Sequence, residues 1–102
     1  MFLENDNTTP IITSTFNETN FDQYSSIVIP YRVYDPTANT AEVSIYVNGI
    51  LDTTRIVDQT RQEFIYRADR AGSIAISFEV GQTTKAILLN ITPVNIDVEA
   101  VE

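Results

Sequence analysis

The side chains that could take part in chemistry are oxygen donors and cations, because the 102-residue chain contains no His and no Cys. Their absence excludes imidazole bases, thiolate nucleophiles and the usual structural zinc sites. The Asp and Glu residues are scattered, without the spacing that would indicate a pair of catalytic carboxylates. We therefore expect no enzymatic activity, no catalytic residue and no cofactor.

Calcium is the metal ion considered for this chain, because the available ligand atoms are side-chain oxygens. Glu18, Asn20 and Asp22 occupy alternate positions and carry the oxygen atoms that calcium prefers. A complete calcium loop also needs a glycine turn and a bidentate glutamate at a fixed offset, and neither is present. Two weaker candidates are Asp35 with Asn39, and Asp69. An ordinary polar loop is the favoured interpretation of each, so we predict no metal site.

Charge and hydropathy exclude two further classes of partner. The formal net charge of −8 repels a phosphate backbone, so we expect no binding to nucleic acid. The longest apolar runs are only a few residues, such as 86–89, so no membrane insertion is expected. The opening residues carry acid where a signal peptide carries basic residues, and export by that route is not expected.

The elements that must position these residues are β-strands, because period-two alternation recurs along the chain. The pattern predicts strands over residues 26–34, 42–47, 50–57, 63–68, 73–80 and 84–91, with a weaker one over 10–16 and a polar connection over 17–24. Pro30 donates no hydrogen bond, which places strand 26–34 at a sheet edge or at a bulge. Asn48-Gly49 is typical of a type I′ hairpin turn.

The alternation also predicts which side chains face the core. The inward positions are Ile27, Ile29, Tyr31, Val33, Val43, Ile45, Val47, Phe64, Tyr66, Ile74, Ile76, Phe78, Val80, Ile87, Leu89 and Ile91. About seven short strands at this spacing are typical of an all-β antiparallel sandwich without a disulfide. A small closed barrel is the competing architecture, and the low glycine content favours the sandwich.

Three segments of this pattern resemble bacterial and phage immunoglobulin-like domains. They are residues 29–35 (Ile-Pro-Tyr-Arg-Val-Tyr-Asp), 43–49 (Val-Ser-Ile-Tyr-Val-Asn-Gly) and 64–78, which contains the turn Asp-Arg-Ala-Gly. The resemblance extends from Ser26 to Ile91 and implies the fold but carries over no functional residue. Such domains occur as repeats in adhesins, as appendages of phage tails and as decoration or auxiliary proteins on phage heads. The chain lacks the Cys pair and buried Trp of antibody domains.

Candidate contact residues lie on the outer faces and in the two tails. Tyr34 and Tyr46 are predicted to face outward, where tyrosine is common in contact surfaces and sugar-binding sites, although cross-strand pairing on a half-exposed sheet is the favoured explanation. The chain divides into an arm (1–9), the sandwich (10–93) and a tail (94–102). The tail residues expected to form an interface are Met1, Phe2, Leu3, Val94, Ile96 and Val98.

The tail alternates apolar and acidic residues like a half-buried strand, although it lies beyond the strand that completes the sandwich. Such a strand either pairs with a neighbouring chain's sheet edge or is merely a frayed extension. We expect a non-enzymatic structural protein on the surface of a phage virion, a capsid decoration or auxiliary protein that docks on other virion proteins through its tails, in part by strand addition. The alternative is a glycan- or cell-surface-binding module of a bacterial adhesin or a phage tail appendage.

Overall fold

The structure, a computed structural model, describes residues 8–94. In that part of the chain the backbone forms eight β-strands and no helix. They are β1 (Ile11–Thr13), β2 (Asn20–Asp22), β3 (Ser26–Tyr34), β4 (Ala41–Val47), β5 (Ile50–Val57), β6 (Gln62–Arg67), β7 (Gly72–Val80) and β8 (Thr83–Thr92). The observed bounds of β3 and β5 are those predicted from the alternation.

The strands form two separate sheets that pack face to face. One has the order β1-β3-β6 and the other the order β2-β8-β7-β4-β5. All pairings are antiparallel except that between β2 and β8, which is parallel. The predicted all-β sandwich is therefore confirmed, with one parallel pairing where antiparallel pairings were expected, and the closed barrel is not formed.

The core lies between the sheets and is built from the inward positions of the alternating strands. Phe78 is fully buried at its centre, with the Tyr31 ring 4.7 Å away and the Phe64 ring 6.2 Å away in an edge-on arrangement. The predicted inward residues are buried, except that Val47 and Ile87 are only partly covered. Burial of each such side chain contributes on the order of 1.5–3 kcal/mol, so this layer accounts for most of the driving force for folding.

Residues 17–24, predicted as a polar connection, contain the short strand β2, and that prediction was wrong. Asn20 and Asp22 are exposed, so the segment lacks an apolar face of the usual length. Phe21 is its one partly buried residue, and its ring stacks on Phe16 at 5.9 Å. The pairing of Phe21 with Ile91 on β8 forms the strand, a long-range contact that local pattern does not reveal.

Pro30 does not mark a sheet edge or a bulge as expected, because β3 is the middle strand of its sheet. β6 pairs with β3 from Ser26 to Tyr31, whereas β1 pairs only from Arg32 to Tyr34. The Pro30 carbonyl accepts a hydrogen bond from the Ser14 hydroxyl at 2.5 Å, on the side of β1. The Pro30 nitrogen, which carries no hydrogen, faces the same side. Because β1 does not pair with β3 at this position, no hydrogen bond between the strands is lost there.

The chain enters and leaves the sandwich at opposite poles. The loop pole carries residues 35–40, 58–61 and 81–82, and the Thr83 hydroxyl there donates to the Pro10 carbonyl at 2.9 Å. The hairpin pole carries the turn 48–49 and the loop 68–71. There the Val94 amide donates to the Gln23 side-chain oxygen at 3.3 Å, and the Gln23 amide group donates to the Asp69 carbonyl at 3.2 Å.

Candidate functional site

The carboxylates considered for calcium are separated and are used locally. Asn20 and Asp22 lie on β2, and the Asn20 side-chain oxygen accepts from Asn90 at 3.5 Å. Asp35 accepts hydrogen bonds from the backbone amide of Thr37 at 2.9 Å and from its hydroxyl at 2.8 Å. These bonds lower the pKa of the Asp35 carboxyl. Within residues 8–94 no three acidic side chains converge in a way that would hold a metal ion.

A shallow polar depression lies at the loop pole beside Tyr34. It measures about 400 Å³ and is lined by Tyr34, Asp35, Pro36, Thr37, Ala38, Asn39 and Gln59. The Tyr34 side chain is 49% exposed and forms part of its wall. This depression combines an exposed aromatic ring with polar loop side chains, which is the combination expected of a small sugar-binding surface.

Tyr46 lies elsewhere and is engaged by its own sheet. It projects from the outer face of the five-stranded sheet near the hairpin pole, whereas Tyr34 ends β3 of the other sheet near the loop pole. The Tyr46 hydroxyl donates to the Glu79 carboxylate at 3.0 Å, and that hydrogen bond, with the charge of Glu79, raises the tyrosine pKa. The two predicted aromatic residues therefore do not form one common surface.

The tail residues proposed for docking fall mostly beyond the described part of the chain. Met1, Phe2, Leu3, Ile96 and Val98 lie outside it. Val94 lies inside, with an exposed side chain at the hairpin pole.

A second, more apolar concave feature lies between β5 and β6, the edge strands on one side of the sandwich. This β5–β6 groove measures about 520 Å³ and is lined by Val47, Asn48, Ile50, Leu51, Asp52, Ile65, Tyr66, Arg67, Asp69, Arg70 and Ile74. Tyr66 and Ile74 are buried at its base, whereas the rim side chains Ile50, Leu51 and Ile65 are 73%, 54% and 59% exposed. The groove opens toward the hairpin pole.

The wall formed by the β4–β5 hairpin is held in place by Asn48 and Gly49. Their positive φ values of 51° and 81° give the predicted type I′ turn. Asn48 also forms two hydrogen bonds with Ala75 on β7, accepting from its amide through the side-chain oxygen and donating to its carbonyl, both at 2.8 Å. These bonds fix the hairpin tip, and with it Ile50 and Leu51.

Farther toward the loop pole, Arg55 reaches from β5 to the opposite sheet. Its guanidinium donates to the Glu63 carbonyl at 2.8 Å and lies 3.5 Å from the Tyr31 hydroxyl. The same group lies 5.9 Å from the centroid of the Phe64 ring, within cation–π range. Arg55 therefore joins the two sheets near the loop pole and leaves the gap open below it.

The rim of the groove carries charge of both signs. Asp52 and Asp69 are acidic, and Arg67 and Arg70 are basic. Burial and the nearby Asp69 raise the pKa of Tyr66, an effect that Arg70 partly opposes. Among residues 8–94 the ion pair is that of Arg61 with Glu63 at 2.6 Å, so neither Arg67 nor Arg70 is neutralised by a direct ion pair in this part of the chain.

The sequence pattern did not reveal this groove, although it contains a partial sign of it. Ile65 stands at an outward position between Tyr66 and Phe64, and Ile50-Leu51 places two apolar residues directly after a turn. Each is an apolar residue where a solvated strand usually carries a polar one. What brings them together is that β5 and β6 are edge strands on the same side of the two sheets, which local periodicity does not specify.

No family model matches the chain, and no curated protein matches it significantly. Among solved structures, the chain is similar to one described as "Structures of Clostridium thermocellum CbhA fibronectin(III)-like modules", with a TM-score of 0.61 and 14% sequence identity. The match covers 84% of this chain and 48% of that one, so the chain spans about half of its length. At this identity the likeness concerns the fold alone, and the chain has an immunoglobulin-like β-sandwich fold.

Proposed function

We propose that the chain is a non-catalytic structural and binding module that works through contacts with other proteins. The observation that carries this proposal is the exposed apolar lining of the β5–β6 groove, where Ile50, Leu51 and Ile65 face solvent. Exposed apolar residues gathered around a concavity are typical of interaction sites. The likeness to a fibronectin(III)-like module supports the same role at the level of the fold.

The larger assembly that we propose is a phage virion, with this chain as a decoration or auxiliary protein on its surface. Docking would use Met1, Phe2 and Leu3 at one pole and the segment 94–102 at the other. The exit of the chain from opposite poles supports this arrangement, since Pro10 lies beside Thr83 and Val94 beside Gln23. A module with an arm at each pole can contact two different neighbours in a shell.

The test of this proposal is incorporation into particles. Deletion of residues 94–102 should reduce the amount of the chain that copurifies with particles, and so should Val98→Asp. Val101→Asp is the matched control, because Val101 lies off the apolar face of the alternation and its substitution should leave incorporation unchanged. Undiminished incorporation of the deletion variant would refute docking through this segment.

A second candidate function, glycan binding in an adhesin or a tail appendage, is supported by the depression beside Tyr34. The exposed ring and the polar side chains of Asp35, Asn39 and Gln59 there could bind a sugar by stacking and hydrogen bonding. A glycan array should show binding that Tyr34→Ala abolishes and Tyr46→Ala preserves, since the Tyr46 hydroxyl is already bonded to Glu79. An array without binding, or equal loss in both variants, would count against this function.

A further inference from the structure

The side of the sandwich formed by β5 and β6 exposes two unpaired strand edges with an apolar groove between them. Both strands are the last in their sheets, so each leaves one edge of its backbone unpaired within the described residues. Unpaired edges of this kind accept an additional strand. The β5–β6 groove lies between these two edges and exposes apolar side chains along its rim.

We propose that residues 95–102 of the same chain occupy the β5–β6 groove as an added strand. The sequence of this segment is Asn-Ile-Asp-Val-Glu-Ala-Val-Glu, in which Ile96, Val98 and Ala100 alternate with Asp97 and Glu99. A strand with this pattern presents one apolar face and one acidic face. The inference goes beyond the proposed function, because it concerns the isolated chain, in which the segment covers its own groove and must leave it before either can contact another protein.

Charge complementarity favours this occupant. The segment carries Asp97, Glu99 and Glu102 and no basic residue. The groove rim carries Arg67 and Arg70, which form no direct ion pair among residues 8–94, and these two charges balance those of Asp52 and Asp69. In a chain of net charge −8, these arginines provide a favourable surface for an acidic strand.

The distribution of the basic residues strengthens this point. Of the six Lys and Arg residues in the chain, those on β5, on β6 and in the adjoining loops are Arg55, Arg61, Arg67 and Arg70. The remaining two, Arg32 and Lys85, lie on other strands. The same elements carry four acidic residues, Asp52, Asp58, Glu63 and Asp69, so this side is balanced in charge and repels an acidic segment less than the remainder of the chain does.

The position at which the described chain ends makes the groove accessible. Val94 lies at the hairpin pole, linked through the Gln23 side chain to the carbonyl of Asp69, and Asp69 itself lines the groove. Eight residues follow Val94, and fully extended they reach about 26 Å at ~3.3 Å per residue. A short tether of this kind gives an effective concentration in the millimolar range, which favours the chain's own groove over that of another copy.

The direction of entry also suits pairing with β6. The segment starts at the hairpin pole and would run toward the loop pole, whereas β6 runs from Gln62 at the loop pole to Arg67 at the hairpin pole. The added strand is therefore antiparallel to β6, the geometry of the more stable ladder. Arg55 and its bond to the Glu63 carbonyl set the far limit of the space available.

The experiment uses the full chain with isotope-labelled Ile, Leu and Val methyl groups. We expect nuclear Overhauser effects between the methyls of Ile96 or Val98 and those of Ile50, Leu51 or Ile65. Amide exchange over residues 96–100 should be slowed by about tenfold or more relative to a freely exposed segment. A mixture of labelled and unlabelled chains separates contacts within one chain from contacts between chains.

Two pairs of variants connect these signals to the proposed surface. Val98→Asp should abolish the methyl contacts and restore fast exchange, whereas Val101→Asp, on the other face of the segment, should leave both unchanged. The double substitution of Arg67→Glu and Arg70→Glu should weaken protection, whereas Arg32→Glu, on the middle strand of the same sheet, should not. Salt at about 1 M should also weaken the protection of these amides from exchange, because the Debye length falls to ~3 Å.

The proposal is overturned if the wild-type chain shows no contact between residues 96–100 and the groove. It is equally overturned if the contacts are found only between different chains, which would make the groove a receptor for a second copy. Equal effects of Val98→Asp and Val101→Asp would exclude a specific apolar face. None of these outcomes depends on whether the chain docks on a particle.

Discussion

Replacement of Arg55 by Met is the substitution with the clearest consequence for the contact between the two sheets at β5 and β6. Met keeps an apolar stem but removes the hydrogen bond to the Glu63 carbonyl and the cation over the Phe64 ring. A bond from a charged donor is worth about 1.5–3 kcal/mol when well shielded. Arg55 is partly exposed, so we reduce this to about 1 kcal/mol and add ~0.5 kcal/mol for the cation–π contact. We expect a total loss of about 1–2 kcal/mol.

Urea denaturation measures this loss as a shift in midpoint at constant m. Thermal unfolding provides a second readout, since each kcal/mol corresponds to about 4–8 °C in a domain of this size. Arg55→Lys should recover part of the difference, because an ammonium can lie over the ring but cannot reproduce the planar guanidinium contacts. Arg32→Met is the matched control, since Arg32 is exposed on the middle strand of the same sheet as Phe64 and should change stability by less than ~0.5 kcal/mol.

A double-mutant cycle tests the contact itself. Arg55→Met combined with Phe64→Leu should show a coupling energy of about 0.5–1 kcal/mol, since the two groups are in contact. If Arg55→Met and Arg32→Met have the same effect, or if the cycle shows no coupling, the reasoning that Arg55 joins the two sheets is wrong.

Further predictions concern the turns and the outer face. Gly49→Ala should cost about 1 kcal/mol in urea denaturation, because the residue has a φ of +81° in a type I′ turn; an unchanged midpoint would contradict the turn assignment. Asp58 accepts from the amide and hydroxyl of Thr60, which lowers its pKa, so the wild type should be more stable than Asp58→Asn above the ordinary pKa of about 3.9. That advantage should vanish as the pH falls through the lower folded value, and a pH-independent difference would be inconsistent with this account. The hydrogen bond to Glu79 and its charge raise the pKa of Tyr46. The stability advantage of the wild type over Tyr46→Phe should therefore be present below the ordinary pKa of about 10 and disappear as the pH rises through the folded pKa. Denaturation measured across alkaline pH checks this.

The sandwich could be predicted from the sequence because its strands have one buried face, so each carries its own period-two signal. Strand β7 is the clearest case, with Ile74, Ile76 and Phe78 buried in alternation. Strand β2 escaped prediction because its three residues have no such period and pair through the distant Ile91. Period-two alternation indicates that one face of a strand is buried against the opposite sheet. It does not indicate which strands become neighbours.

The groove was missed for a related reason. Exposed Ile50 and Ile65 were visible as apolar residues, but they are in different sheets and separate parts of the chain. Only the packing of β5 beside β6 places them on one concavity. The tyrosines illustrate the converse, since Tyr34 and Tyr46 share an outward prediction and yet lie on different sheets.

The parallel pairing of β2 with β8 determines how the module responds to mechanical force. The chain enters at one pole and leaves at the other, so tension applied along it acts parallel to the strands. Asn20, Phe21 and Asp22 are paired with Asn90, Ile91 and Thr92 in a single register, so their hydrogen bonds are loaded together in shear instead of being peeled apart one at a time. Forced unfolding is governed by the unfolding rate, so this parallel ladder and the β1–β3 ladder that precedes it in the chain, more than equilibrium stability, would set the load at which the module yields.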